Sequence, residues 1–185
     1  MIASLILVPA LAGLLAFLLR EDRPRRFLLL ATAMAHTGLV AACWIRRPVS
    51  ILHGWLAVDS LGLLFLSLTS LLFLAVGFYA FAFLKREQQH EGEEIADPDD
   101  LFANSPEAVF TGCLLIFLAT MTLVTLSHHF GLLWAAVEGT TLASAPLIYF
   151  HRNPRSLEAT WKYLMVCSVG IALALMGNFF VSVAG

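Results

Sequence analysis

Long apolar stretches separated by short polar ones dominate the pattern of this chain. A helix needs about 20 predominantly apolar residues to cross a hydrocarbon core of roughly 30 Å. Six stretches approach that length, at residues 2–19, 27–45, 61–84, 109–126, 130–150 and 158–184. The pattern therefore predicts an all-α fold, a polytopic transmembrane helix bundle of about six spans that forms a single domain over residues 1–185.

The segments between these stretches collect charged residues and prolines. Residues 20–26, 46–48 and 151–155 are short and basic, whereas residues 85–107 carry eight acidic side chains. The simplest interpretation of this acidic loop is a solvated linker. Only residues 127–129 separate the fourth and fifth stretches, so we expect these two helices to form a tight antiparallel hairpin.

The composition supports a protein that stays in the bilayer. Of the 185 residues, 59% are hydrophobic and 13% are charged, whereas soluble domains contain about 25% charged residues. The net charge is -2, and the sequence has no basic patch that would favour nucleic acid as a partner. The first apolar stretch has no basic segment before it, unlike a cleaved signal peptide. We therefore expect it to be a retained first span.

Lysine and arginine counts predict the orientation, because these residues favour cytoplasmic loops. The loops after spans one, three and five hold four, two and two of them, and Lys162 lies just inside span six. The loops after spans two and four hold two and none. We therefore expect the N-terminus outside and the acidic loop in the cytoplasm, with the chain in the cell inner (cytoplasmic) membrane.

Glu138 is the one acidic residue, out of 13, that lies well inside a predicted span. It is eight residues into span five, which corresponds to about 12 Å of helix and places it close to the bilayer middle. A charge there costs about 2.5–3.5 kcal/mol on insertion scales, and such residues usually mark ion or proton sites. The alternative is a protonated glutamate that forms structural hydrogen bonds.

The surroundings of Glu138 suggest that it faces other helices. Thr141 lies three residues further on, near the same helix face. Small residues recur every four positions at Ala135, Gly139 and Ala143, which allows a neighbouring helix to approach closely. Span five is therefore expected to be an interior helix.

Four further polar residues are candidates for a proton pathway. Lys162 is either a step in such a path or an anchor whose ammonium group reaches the interface. His36, at the centre of span two, can relay a proton or form a hydrogen bond to a neighbouring helix. His128 and His129 occupy the predicted outer turn, where a proton path could end.

Other chemistry finds little support in the sequence. The adjacent histidines of the outer turn have no nearby cysteine or acidic partner, so we expect no metal site. No nucleophile-base arrangement or phosphate-binding loop is present, and we expect no cofactor. Each apolar stretch that contains a cysteine has only one, which favours packing roles for Cys43, Cys113 and Cys167.

A family resemblance adds to these observations. The matching residues include the stretch Thr120-Met121-Thr122-Leu123-Val124-Thr125-Leu126-Ser127-His128-His129-Phe130-Gly131-Leu132-Leu133-Trp134 and the later stretch Leu157-Glu158-Ala159-Thr160-Trp161-Lys162-Tyr163-Leu164. Residues 109–174 as a whole resemble the antiporter-like, proton-conducting membrane subunits of respiratory complex I and the membrane-bound hydrogenases. Within that family the resemblance is strongest to hydrogenase-4 component F.

The resemblance implies a role in proton transport. It assigns proton handling to Glu138 and matches Lys162 to a lysine that opens span six in the family. Family members have about fourteen spans in two inverted halves, so this chain resembles the front portion of one subunit. We therefore expect a truncated or split gene product.

The resemblance favours a proton-translocating subunit of a hydrogenase-4 or NADH-dehydrogenase-like complex. Such a subunit would couple electron transfer elsewhere to proton movement, with other membrane subunits and the lipid bilayer as partners, and would be a non-catalytic part of an oxidoreductase complex. A second hypothesis is a non-conducting membrane scaffold for partner subunits. A membrane-embedded enzyme is a third, and the lack of a catalytic constellation argues against it.

Overall fold

A computed structural model describes residues 1–19, 21–91, 107–150 and 153–184. These residues form six α-helices, one at each predicted span, which confirms the all-α helix bundle. The helices are α1 (Ile2–Leu18), α2 (Asp22–Ile45), α3 (Ser60–Glu91), α4 (Glu107–Leu126), α5 (Phe130–Ile148) and α6 (Pro154–Ala184). Within the described residues, five helices are long and apolar enough to cross a membrane, and α1 is a shorter apolar helix of 17 residues.

Helix α4 lies at the centre of the bundle. It contacts α1, α2, α3 and α5, whereas α6 contacts α5 alone among the described helices. The short connection between α4 and α5 confirms the expected hairpin, since the two helices pack along each other. Helix α5 therefore has α4 on one side and α6 on the other.

Two glycines allow α1 and α4 to approach closely. A Cβ atom at Gly13 would lie 2.9 Å from Cγ1 of Ile116, and one at Gly112 would lie 2.6 Å from the ring of Phe17. Distances this short require the neighbour to move, so each glycine keeps space for the facing helix. Small residues serve the same purpose at many membrane helix interfaces.

Helix α2 begins earlier than the sequence pattern indicates. Residues 22–26 are helical rather than part of a loop, and Pro24 falls in the first helical turn. Proline is tolerated there because backbone N–H groups of the first turn have no partner within the helix. Helix α3 likewise extends to Glu91, and the remainder of the predicted acidic loop, residues 92–106, lies outside the described residues.

The interior contains two apolar clusters with a polar layer between them. One cluster includes Leu29, Ala33, Phe73 and Leu118, and the other includes Val40, Leu63, Leu66 and Leu126. Along α2, α3 and α4, the positions between the clusters are occupied by the buried polar residues His36, Ser70 and Thr122. The polar layer therefore lies at the middle of the bundle.

Candidate functional site

Glu138 lies where α5 meets α6. Its side chain is half-buried, and Ser168 Oγ on α6 donates a hydrogen bond of 3.1 Å to Glu138 Oε1. The predicted interior glutamate therefore has a partner on a neighbouring helix, as expected for a carboxylate that faces other helices. The sequence did not identify Ser168, because one serine in an apolar helix carries no distinctive pattern.

A second polar contact joins the same two helices. Ser144 Oγ lies 2.8 Å from the Tyr163 hydroxyl, and Ser144 also donates to the backbone oxygen of Thr141 at 2.9 Å. With the serine proton used in that bond, the Tyr163 hydroxyl is the donor to Ser144. The interface between α5 and α6 therefore contains both a carboxylate and a pair of hydroxyl groups.

Thr141 and the small residues of α5 face the other way, toward the bundle. Thr141 is buried and donates to the backbone oxygen of Val137 at 3.2 Å rather than to Glu138. A Cβ atom at Gly139 would lie 3.1 Å from Cγ2 of Thr120 on α4. Ala143 is buried, whereas Ala135 is exposed. Two of the three small residues thus face into the bundle, and Gly139 lets α4 approach closely.

Lys162 lies away from Glu138. Its ammonium group forms an ion pair with Glu158, one turn earlier on α6. The two side chains are 71% and 64% exposed. A solvent-exposed pair of this kind contributes little to stability, and the described residues do not bring this lysine to the carboxylate.

His36 is the centre of the polar layer. Its side chain is 1% exposed; Nδ1 lies 3.0 Å from Ser70 Oγ on α3, and Nε2 lies 3.0 Å from Thr122 Oγ1 on α4. Ser70 and Thr122 are themselves 2% and 0% exposed. The imidazole thus joins three helices through two hydroxyl groups, which the sequence could not show because the two partners lie on other helices.

His128 and His129 belong to a cap over the predicted outer end. The His128 backbone N–H donates to the oxygen of Trp55 at 2.7 Å, and the His129 ring stacks on Trp55 with centroids 4.1 Å apart. Trp55 follows a turn at Leu52–Gly54, in which His53 has a φ of 55°. The loop between α2 and α3 therefore closes over the turn between α4 and α5.

A buried ion pair at the opposite end was missed by the sequence analysis. Arg26 Nε and Nη2 each lie 2.7 Å from one oxygen of Glu107, and Nη2 also donates to the backbone oxygen of Leu84 at 3.1 Å. The two side chains are 7% and 11% exposed. The sequence places these opposite charges beside span ends on the same predicted side of the membrane, and this arrangement could have indicated the pair.

Comparison with known proteins finds relatives among membrane subunits of larger enzymes. The chain is 35% identical over 125 residues to a hydrogenase-4 component F homolog from Methylacidiphilum infernorum (isolate V4), which covers 66% of this chain and 24% of the relative. It is also 33% identical over 72 residues to NADH-ubiquinone oxidoreductase chain 2 from Suricata suricatta, which covers 39% of this chain and 20% of that protein. The chain is a relative of the antiporter-like membrane subunits of complex I and the membrane-bound hydrogenases.

The family relationship and the apolar helices together show a multi-pass membrane protein of the hydrogenase-4 and complex I type. The matched region spans about a quarter of the hydrogenase-4 relative and a fifth of the chain 2 relative. No family model matches the chain, and no solved structure matches it.

Cysteines and metal-binding groups add no further site in the part of the chain that the structure describes. Cys43 and Cys113 are buried, Cys167 is half-buried, and all three are free thiols. Over the described ranges, no group of three His, Cys, Asp or Glu side chains lies close enough to hold a metal ion.

Proposed function

We propose that this chain is a proton-translocating membrane subunit of a hydrogenase-4 or NADH-dehydrogenase-like complex, in which other subunits carry out the electron transfer. The observation that carries the proposal is Glu138, the acidic residue at mid-span, whose carboxylate accepts a hydrogen bond from Ser168 on the next helix. Residues of this kind within a membrane span usually serve ion or proton pathways.

The chemistry of the pair suits a group that gains and loses a proton. A serine hydroxyl can donate to a carboxylate and can accept from a carboxylic acid. The contact between Glu138 and Ser168 can therefore persist in both protonation states when the hydroxyl rotates. Persistence of the contact lowers the cost of each change, because a buried polar group is not left without a partner.

The other predicted pathway residues remain candidates for the proton path, and they lie in different parts of the bundle. Thr141 is buried on the side of α5 that faces the bundle, and Lys162 lies near the start of α6 in an exposed ion pair with Glu158. His36 is in the central polar layer, and His128 and His129 are at the end that we propose to be external. A path through Glu138 would use the Ser144 and Tyr163 hydroxyls, which lie in the same interface between α5 and α6.

Other membrane subunits and lipid are the proposed partners. The relatives are named as a component and as a chain of larger enzymes. Within the described part of α6, no residue of the apolar segment from Pro154 to Val183 is buried. A helix with so little contact inside the chain requires lipid or protein around it, and this observation also favours the scaffold role as a second candidate function.

Removing the Ser168 hydroxyl tests the proposed function against that second candidate. We expect Ser168→Ala to lower the proton-to-electron ratio of the assembled complex, because Glu138 loses its partner. Ser168→Thr, which keeps a hydroxyl, should restore most of the ratio. The ratio is measured in membrane vesicles, with Ser182→Ala on the exposed part of α6 as the matched control. Equal ratios in the two alanine variants would favour the scaffold.

The proposed orientation is tested by cysteine labelling. Gln88 and Ser127 are replaced singly with cysteine in a background without the three native thiols. We expect an impermeant external reagent to label position 127 and not position 88, because the lysine and arginine distribution favours an outside N-terminus. Labelling of position 88 alone would reverse the proposed topology.

A further inference from the structure

The hydrogen bonds around His36 form a continuous chain in which every donor proton can find an acceptor. In one arrangement Thr37 donates to Ser70 (3.0 Å), and Ser70 donates to His36 Nδ1 (3.0 Å). On the other side of the ring, His36 Nε2–H donates to Thr122 (3.0 Å), and Thr122 donates to the backbone oxygen of Leu118 (2.8 Å). Every hydroxyl proton and the imidazole proton has an acceptor. This arrangement contains the neutral imidazole with its proton on Nε2.

The opposite arrangement is equally complete. Thr122 then donates to His36 Nε2, His36 Nδ1–H donates to Ser70, Ser70 donates to Thr37, and Thr37 donates to the backbone oxygen of Ala33 at 2.8 Å. This second arrangement contains the other neutral tautomer. A chain that can be filled in both directions is able to pass a proton from one side of the imidazole to the other.

The same partners also accommodate the protonated ring. Both imidazolium nitrogens donate, one to Ser70 and one to Thr122, and these hydroxyls pass their own protons on to Thr37 and to a helix carbonyl. All three forms of His36, the two neutral tautomers and the imidazolium, therefore keep a full set of hydrogen bonds. A histidine that only held helices together would need a full set of hydrogen bonds in just one of these forms.

No charged side chain competes for this proton in the surrounding helices. Besides His36, the segments 27–45, 61–84 and 108–126 of α2, α3 and α4 contain no Asp, Glu, Lys, Arg or other His. The charged groups on these helices lie at the end that contains Arg26 and Glu107, and the nearest acidic residue at the other end is Asp59. His36 is therefore the titratable side chain of the central layer.

A cavity between α3 and α4 leads toward this layer from the proposed external end. It has a volume of about 420 Å³, and its polar lining consists of Asp59, Thr69, Thr125, Ser127 and His128. The last two residues belong to the turn between α4 and α5. The space is an open groove whose lining also includes the apolar residues Leu61, Phe65, Met121 and Val124. Its volume allows several waters at the polar groups.

The inner wall of this cavity is formed by the turns that carry the His36 partners. Thr69 directly precedes Ser70, and Thr125 donates a hydrogen bond of 2.9 Å to the backbone oxygen of Thr122. Beyond Thr69 and Met121, the space continues as an apolar cavity of about 190 Å³. The polar lining therefore ends at the level of the His36 layer.

We propose that His36 is a buried proton-accepting site that exchanges protons with the external side through the cavity between α3 and α4. Ser70 and Thr122 lie behind the wall formed by Thr69 and Thr125, so exchange requires a local opening of that wall. A hydronium ion from the cavity then gives a proton to the hydroxyl of Ser70 or Thr122, and that hydroxyl releases its own proton to the facing imidazole nitrogen. The hydronium ion becomes water, the hydroxyl gains one O–H bond and loses another, and a new N–H bond makes the ring imidazolium. Loss of the proton from the opposite nitrogen leaves the other neutral tautomer.

Solid-state NMR of the full-length chain in phospholipid bilayers, with ¹⁵N-labelled histidine, tests this site. The His36 signals are identified by their loss in His36→Gln. We expect signals from both neutral tautomers, an imidazolium signal that grows as the pH falls, and ring N–H groups that exchange with D₂O. A single tautomer that persists at every pH, with no exchange, would overturn the proposal. Neither outcome depends on Glu138, so the proposed function is tested separately.

The route is tested by filling the cavity. Thr69→Phe should slow D₂O exchange at the His36 ring by roughly tenfold or more, whereas Leu68→Phe, on an exposed position of the same helix, should leave it unchanged. As a second measurement without a bulky replacement, Thr125→Cys in the cysteine-free background should react with an impermeant external thiol reagent. Unchanged exchange in Thr69→Phe or an unreactive Cys at position 125 would exclude this route.

Discussion

Replacement of Arg26 with methionine is expected to destabilise the helix bundle by about 3–5 kcal/mol, because it leaves a charged partner in a poorly solvated site. The Arg26 guanidinium makes two bonds of 2.7 Å to Glu107 and a third to Leu84, and it thereby joins α2, the later part of α3 and the start of α4. The loss is measured as a lower melting temperature of the full-length chain in detergent micelles.

Three further variants separate the causes of this effect. Arg26→Lys should be intermediate, because an ammonium group cannot make the planar bidentate contact. A double variant, Arg26→Met with Glu107→Leu, should recover much of the loss, because no unpaired charge remains. Arg23→Met is the matched control, since Arg23 is an exposed residue in the same turn. Equal melting temperatures for Arg26→Met and Arg23→Met would show that the ion pair contributes no stability.

Replacement of Glu138 with glutamine is expected to abolish the share of proton pumping that passes through this subunit. Glutamine keeps the size of the side chain and its ability to accept a hydrogen bond from Ser168, but it does not titrate. The assembled complex should therefore form normally and continue electron transfer, with a sharply lower proton-to-electron ratio. The ratio is measured in membrane vesicles, and subunit abundance is determined in parallel.

Two carboxylate variants provide controls for this result. Glu138→Asp keeps a titratable group on a shorter side chain and should retain part of the ratio. Glu21→Gln removes an exposed carboxylate directly before α2, away from the proposed pathway residues, and it should leave the ratio unchanged. If Glu138→Gln pumped as well as Glu21→Gln, Glu138 would be a structural hydrogen-bonding group, and the scaffold role would be favoured.

The sequence predicted the helices well because the bilayer imposes a simple length requirement. Each predicted span contains one helix, and the short turn between α4 and α5 gave the hairpin. Helix α2 began earlier than predicted because Arg25 and Arg26, which look like loop residues, are buried by contacts with other segments. Such contacts are absent from a hydropathy pattern.

The sequence identified the main residues of the candidate site but not the side chains that form hydrogen bonds with them. A carboxylate at mid-span is costly, so Glu138 stood out in the sequence. The helices are apolar on nearly all sides, which leaves little indication of which face meets which neighbour. For this reason the sequence showed neither Ser168 beside Glu138 nor the two hydroxyls that hold His36. Lys162, predicted in the same path, is paired with Glu158 on the exposed side of α6.

Difference infrared spectroscopy of the assembled complex tests most directly whether Glu138 gains and loses a proton during turnover. Spectra are recorded in membranes between resting and turning-over states. We expect a carboxylic acid C=O band that changes between these states and is absent in Glu138→Gln but retained in Glu21→Gln. A spectrum of Glu138→Gln with every carboxyl band of the parent protein would contradict it, because the protonation changes would then belong to other groups.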